Sequence, residues 1–128
     1  MKNTYALKKD VNIRGLIVDD EEDIGWMVSK FLTSRNLKVD YVDRIEKARQ
    51  KILTNSYQVY FLDLNLPDGT GFDLISDIRN NNNKSKIIII SAYDGITETR
   101  RAKEMKVDLF IKKPFTKKQV LEAIEDLD

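Results

Sequence analysis

The chain has 128 residues, of which 41% are apolar and 34% charged, a composition that favours one folded domain over a disordered chain. Lys and Arg number 22 against 21 Asp and Glu, a net charge of +1, so we expect no direct nucleic-acid binding and no membrane association. Cysteine and histidine are both absent, which excludes disulfides, thiolate chemistry and His-ligated metals. Any bound metal should be a hard cation such as Mg²⁺ or Ca²⁺, held by oxygen ligands.

Residues 1–12 are polar, contain three lysines and lack the apolar run of a signal peptide. We expect them to form an N-terminal extension to a folded domain at 13–128. A cytoplasmic protein is the simplest interpretation.

The rest of the chain alternates between two hydrophobic patterns. Short apolar or alternating runs predict strands, and apolar residues three and four positions apart predict helices. In chain order the predicted elements are a strand at 13–18, a helix at 24–32, an edge strand at 38–42, a helix at 45–52, a strand at 59–62, a helix at 72–78, a strand at 87–90, a helix at 96–105, a strand at 109–111 and a helix at 116–127 with a Thr cap. This alternation predicts an α/β domain whose parallel strands are joined by right-handed crossovers and covered by helices on both faces.

Open parallel sheets place their functional crevice beyond the carboxyl ends of the strands. There the sequence puts Asp19 and Asp20 after the first strand, Asp63 after the third, Ser91 after the fourth and Lys113 after the fifth. Three carboxylates brought within a few ångströms repel one another, and a divalent cation such as Mg²⁺ would relieve that repulsion. The ammonium and the hydroxyl would then complete a pocket for an anion, and a phosphoryl group fits that description.

The acidic run at 19–23 divides between two roles. We assign Asp19 and Asp20 to the site, and Glu21, Glu22 and Asp23 to the start of the next helix, whose dipole favours negative charge there. A solvated block of like charge is the alternative, but the run lies between a buried strand and an amphipathic helix.

Four short motifs mark the ends of the strands. They are Leu16-Ile17-Val18-Asp19-Asp20-Glu21, Phe61-Leu62-Asp63-Leu64-Asn65-Leu66-Pro67, Ile90-Ser91-Ala92 and Lys113-Pro114-Phe115. Each is weak alone, but together and in this order they are specific, and from about 13 to 127 the chain resembles the receiver domain of two-component response regulators. The resemblance implies a flavodoxin-like doubly wound sheet of five parallel strands, in the order 2-1-3-4-5, with five helices.

The resemblance also implies a role for each site residue. Asp63 would be the phosphoacceptor, with Lys113 and the switch hydroxyl of Ser91 contacting the phosphoryl oxygens. The Mg²⁺ ligands would be Asp20 directly, Asp19 mainly through water, Asp63, and the backbone carbonyl of Asn65. No other cofactor is expected.

Three further residues gain a role from the same resemblance. Phe110 matches the aromatic residue that turns inward when the Ser91 hydroxyl moves, and the Lys113–Pro114 bond would be cis. Trp26 falls off the apolar stripe of the first helix, which leaves two interpretations: an exposed anchor for the kinase, whose helical bundle meets this helix face in the family, or a Trp packed against a neighbouring helix.

The phosphoryl group would come from a phosphohistidine on a sensor histidine kinase or a histidine phosphotransfer protein, since this chain has no histidine. The domain would catalyse only its own phosphorylation and dephosphorylation. Its shape change would control an output domain or a target protein, whether the chain stands alone or is a fragment of a longer protein. A phosphorylation-dependent dimer is a further expectation, although Leu109 stands where one DNA-binding subfamily has an acidic residue used in dimerisation.

Three alternative functions are weaker. A Mg²⁺-dependent phosphohydrolase would carry a general acid two residues after Asp63, where this chain has Asn65, and a substrate-selecting cap. A flavin or nucleotide module would show a glycine-rich phosphate loop, whereas Gly69 and Gly71 belong to a turn after Asp63. A receiver that signals without phosphate is disfavoured because all five site positions are chemically competent.

Overall fold

The computed structural model describes residues 13–127, in which five β-strands alternate with five α-helices as predicted. In chain order the elements are β1 (Arg14–Val18), α1 (Glu22–Thr33), β2 (Lys38–Val42), α2 (Ile45–Thr54), β3 (Val59–Leu62), a 3₁₀ turn (Gly71–Leu74), α3 (Ile75–Asn81), β4 (Lys86–Ser91), α4 (Ile96–Glu104), β5 (Leu109–Lys112) and α5 (Lys117–Ala123). The pattern at 72–78 is therefore split between the 3₁₀ turn and α3. The predicted extension at 1–12 lies outside the described residues.

All five strands are parallel and lie in the order β2-β1-β3-β4-β5, which confirms the predicted topology and places β2 at an edge. Val18 is opposite both Val42 and Leu62, and Leu62 is opposite Ile89. The carboxyl ends of the strands are thus aligned. Residues that follow different strands therefore meet at one edge of the sheet.

The two faces of the sheet bury separate hydrophobic clusters. α1 and α5 cover one face, and α2, α3 and α4 cover the other. The isoleucines of β4 alternate between the clusters, Ile87 and Ile89 in one and Ile88 and Ile90 in the other, and none is more than 2% exposed. Burial on both faces explains why this strand is continuously apolar.

The last helix begins as predicted but ends earlier. The Thr116 hydroxyl accepts a hydrogen bond from the Gln119 N–H at 3.2 Å, and the Gln119 side chain accepts one from the Thr116 N–H at 2.8 Å. However, α5 stops at Ala123 rather than at 127. Lys86 Nζ donates to the Ala123 carbonyl at 2.6 Å and pairs with Asp126 at 2.7 Å, and the following residues turn more tightly, with bonds between residues three apart.

Among the described helices, none has both the length and the apolar character needed to cross a membrane.

Candidate functional site

The predicted site residues come together at the carboxyl ends of the strands. Asp19 and Asp63 are only 3% and 4% exposed, Ser91 is fully buried, and Lys113 follows the edge strand β5. Main-chain hydrogen bonds fix two of these residues to the end of the neighbouring strand. The Asp63 N–H donates to the Val18 carbonyl and the Lys113 N–H to the Ser91 carbonyl, both at 2.9 Å. The side chains are thus positioned by the ends of rigid strands.

Three carboxylates form the cluster predicted from the sequence. Asp19, Asp20 and Asp63 can each place an oxygen within 4.8 Å of the others, and Asp20 lies on the exposed side. Oxygen donors this close suit a hard divalent cation such as Mg²⁺, which would also offset the repulsion among them. The donor set therefore fits the predicted metal. The backbone carbonyl of Asn65 stays a prediction as a further ligand.

Lys113 is a shared cation for three acids. Its Nζ lies 2.9 Å from Asp19 Oδ2, 3.1 Å from Asp63 Oδ2 and 2.7 Å from Glu21 Oε1. Its side chain is only 10% exposed, so these ion pairs are partly shielded from water. Lys113 compensates one negative charge of the cluster, and the remaining negative charges are left without a cation.

Burial and charge act together on the ionisation of this cluster. Burial raises the pKa of Asp19 to about 6, since hydrogen bonds from Lys113 and from the Glu21 N–H offset it only in part. Burial acts to lower the pKa of Lys113, but Glu21, Asp19 and Asp63 outweigh it and hold that pKa above its usual value. Lys113 therefore remains a cation.

Ser91 ends β4 with its hydroxyl oxygen accepting a hydrogen bond from the Tyr93 N–H at 3.0 Å. Because the hydroxyl is the acceptor in that bond, its own hydrogen is free to be donated. Tyr93 is 53% exposed, and its hydroxyl lies 3.5 Å from the Asn65 amide nitrogen. The residues after the third and fourth strands thus approach each other beside Asp63.

The other predicted residues lie around the cluster. Phe110 is partly buried on β5 and packs against the hydrophobic cluster shared with α4, so its role as a switch stays a prediction. The Lys113–Pro114 peptide bond is cis. Trp26 is 64% exposed on α1, and the Lys30 ammonium lies 4.6 Å from its ring centroid.

Three residues of the site escape prediction from the sequence. The sequence places Glu21 only at the start of α1, yet its carboxylate pairs with Lys113. The Tyr41 hydroxyl donates to the Asp19 carbonyl at 2.6 Å. Burial, and to a smaller extent the nearby carboxylates, raise the pKa of Tyr41 to about 12, so the hydroxyl keeps its proton and remains a donor. A Cβ at Gly71 would lie 3.2 Å from the Asp63 carbonyl carbon and closer still to its oxygen, so glycine is needed where this turn passes Asp63.

Comparison with known proteins agrees with this geometry. Residues 16–125 match the family model of the response regulator receiver domain. Transcriptional regulatory protein CusR of Escherichia coli (strain K12) is 30% identical over 112 residues, which are 88% of this chain and 49% of CusR. The chain spans about half the length of the curated relatives it matches.

Solved structures agree as well. The non-phosphorylated HemR receiver domain from Leptospira biflexa has a TM-score of 0.81 at 32% identity, with 89% of this chain and 92% of that chain covered. A response regulator protein from Burkholderia pseudomallei, solved with a phosphorylated aspartic acid, calcium ion and citrate, has a TM-score of 0.82 at 20% identity, with 90% and 68% covered, and supports the fold alone. Because the family match covers most of the chain and all four motifs, the chain belongs to the receiver domains of two-component response regulators.

Proposed function

We propose that Asp63 accepts a phosphoryl group from a phosphohistidine on a sensor histidine kinase or histidine phosphotransfer protein, in a reaction that needs Mg²⁺. One observation carries the proposal: the Asp63 carboxylate lies both in the cluster of three acids and 3.1 Å from Lys113 Nζ. It is thus next to a cation and to oxygen donors for a metal. The Burkholderia pseudomallei protein carries a phosphorylated aspartic acid and a calcium ion on the same fold, so this fold is able to hold both groups.

The proposed transfer exchanges one bond for another. A carboxylate oxygen of Asp63 forms a bond to phosphorus while the phosphorus–nitrogen bond of the donor breaks, and the imidazole leaves with the electron pair. Asp63 Oδ2 is held by Lys113, and Oδ1 accepts a hydrogen bond from the Asn65 N–H at 3.3 Å, so the carboxylate is oriented before the donor arrives.

The residues that would hold the metal are Asp19, Asp20, Asp63 and the Asn65 backbone carbonyl. Bound there, Mg²⁺ supplies neutralisation of the charge on the transferring group. Lys113 would do the same from its own side, exchanging its contact with Asp63 for one with a phosphoryl oxygen. The chain's own contribution is therefore position and charge rather than proton transfer.

Phosphorylation would then shift the population of two arrangements of the α4–β5 surface. The Ser91 hydroxyl, which has a hydrogen to donate, would move to the phosphoryl group, and Phe110 would turn further inward. Ile96 and Leu109 are 76% and 40% exposed on this surface, so apolar contact area is available to an output domain, a target protein or a second copy of the chain. Amide exchange should change over α4 and β5 on phosphorylation, and a change confined to the acidic cluster would count against this switch.

Intact-mass measurement tests the proposal. The protein should gain one phosphoryl group from acetyl phosphate when Mg²⁺ is present and none in EDTA. Asp63→Asn removes the nucleophile with little change in shape, so the variant should stay folded and gain no phosphoryl group. Asp77→Asn is the matched control, because Asp77 lies on α3 and pairs with Arg49 at 3.0 Å away from the cluster. A folded Asp63→Asn variant that is labelled at the wild-type rate would refute the assignment.

A further inference from the structure

Tyr41, on the edge strand β2, reaches the end of β1 and holds the backbone of Asp19. Its hydroxyl donates to the Asp19 carbonyl at 2.6 Å. The Asp19 N–H donates to the carbonyl of Val42, the next residue of β2, at 3.2 Å. Both backbone groups of Asp19 are therefore held by β2, one by main chain and one by a side chain.

Gly25 on α1 makes room for the Tyr41 ring. A Cβ at this position would lie 2.6 Å from Cδ1 and 2.7 Å from Cζ of Tyr41, closer than side chains pack. Glycine is among the least favourable residues inside a helix, so its place here calls for a packing reason. The ring lies against the bare backbone of α1, and this contact directs the hydroxyl to Asp19.

The Asp19 carbonyl is part of the peptide group that leads to Asp20. Its direction therefore sets the direction in which the Asp20 side chain leaves the backbone. Within 13–127 the Asp20 carboxylate makes no hydrogen bond or ion pair with another side chain or N–H group, although it lies in the cluster with Asp19 and Asp63. Its position depends on the backbone alone.

We propose that Tyr41 is a positioning residue for the metal-binding acids, holding the Asp19–Asp20 peptide group so that the Asp20 carboxylate stays beside those of Asp19 and Asp63. The inference rests on the proposed function, because it concerns the Mg²⁺ site used there. Groups that orient metal ligands typically change metal affinity by tenfold or more when they are lost. Tyr41 should therefore act on metal affinity rather than on the phosphoryl-transfer step.

Tyr41→Phe removes only the hydroxyl and keeps the ring. Titration calorimetry with MgCl₂ should show a dissociation constant raised by roughly tenfold. At saturating Mg²⁺ the rate of labelling by acetyl phosphate should return to near the wild-type rate. The matched control is Tyr57→Phe, which removes an equally short hydrogen bond, 2.6 Å to Asp40, from a tyrosine that packs on the opposite face of the sheet. It should leave the dissociation constant unchanged even where it lowers the urea midpoint in EDTA.

The outcomes separate this inference from the proposed function. Wild-type affinity for Mg²⁺ in Tyr41→Phe overturns the inference alone. So does an equal loss of affinity in Tyr41→Phe and Tyr57→Phe, because a general softening of the fold would then explain both. A wild-type protein that binds no Mg²⁺ overturns the proposed function, and the inference with it.

Discussion

Asp68 caps a helix to which it does not belong, since its carboxylate accepts a hydrogen bond from the N–H of Ile45, the first residue of α2, at 2.8 Å. A second bond comes from the Glu46 N–H at 3.1 Å. Arg44, the residue at the cap position of α2, makes no side-chain cap bond. Asp68 supplies the missing acceptor from the loop that follows Asp63, and so ties that loop to α2.

Asp68→Ala should therefore lower the free energy of unfolding by about 1 kcal/mol at neutral pH. Burial acts to raise the pKa of Asp68, but the N–H groups of Ile45 and Glu46 outweigh it and hold that pKa below its usual 3.8. Because the pKa is lower in the folded protein, the stabilisation is present above 3.8 and is lost as the pH falls through the folded value. Urea unfolding over a pH series measures this difference. Equal midpoints for wild type and variant at neutral pH would contradict the prediction.

Asp20→Ala should have opposite effects on stability with and without metal. In EDTA the variant should melt at a higher temperature than wild type, because one of three crowded carboxylates is gone. With Mg²⁺ at a hundred times its dissociation constant, wild type should gain about 2.7 kcal/mol by mass action and the variant much less. Thermal unfolding in both buffers tests this. Asp23→Ala, an acid in the first turn of α1, is the control and should respond to Mg²⁺ as wild type does.

Tyr60→Phe should stabilise the protein. The Tyr60 hydroxyl is fully buried and has no hydrogen-bond partner within the described part of the chain, and burial raises its pKa to about 12. Removing an unsatisfied buried hydroxyl should raise the free energy of unfolding by about 1 kcal/mol. Calorimetry measures the shift. Tyr57→Phe, which removes a bonded hydroxyl, should shift the midpoint downwards, and a destabilised Tyr60→Phe would show that its hydroxyl is bonded after all.

Trp26→Ala should slow phosphotransfer from a histidine kinase by roughly tenfold or more, the effect of removing an interface anchor. Labelling by acetyl phosphate should stay at the wild-type rate, because Trp26 lies outside the acidic cluster. Leu53→Ala provides the control, since Leu53 is 82% exposed on α2. Kinase-driven transfer that is unchanged in Trp26→Ala would end the interface hypothesis.

Local patterns in the sequence predict the sheet and most of the site. The isoleucines of β4 form a run typical of a strand buried on both faces, and Asp19 and Asp63 follow β1 and β3, which are buried in the same way. Lys113 follows the partly exposed edge strand β5. Since parallel strands end at one edge, their meeting follows from topology. The sequence alone therefore predicts the carboxylate cluster.

Contacts between distant segments leave no local pattern. The Glu21 side chain is 60% exposed and fits a helix start equally well, so nothing near it in sequence indicates Lys113 as its partner. Tyr41 belongs to an alternating edge strand, and only the unusual glycine of α1 at Gly25 hints at a close neighbour. The early end of α5 likewise depends on Lys86, which lies on another strand.

The sharing of Lys113 among three acids makes phosphorylation an exchange of counter-ions. A phosphoryl oxygen would replace the Asp63 carboxylate at this ammonium and bring more negative charge to it, so the attraction of the ammonium for its other two carboxylates would weaken. Of these two partners, Glu21 can leave the ammonium at the lower cost in free energy. Its side chain is 60% exposed and can be hydrated, whereas that of Asp19 is 4% exposed. The segment that leads into α1 would thus lose its ion pair with Lys113 first. Because α1 and α4 lie on opposite faces of the sheet, phosphorylation of Asp63 can change both faces of the domain.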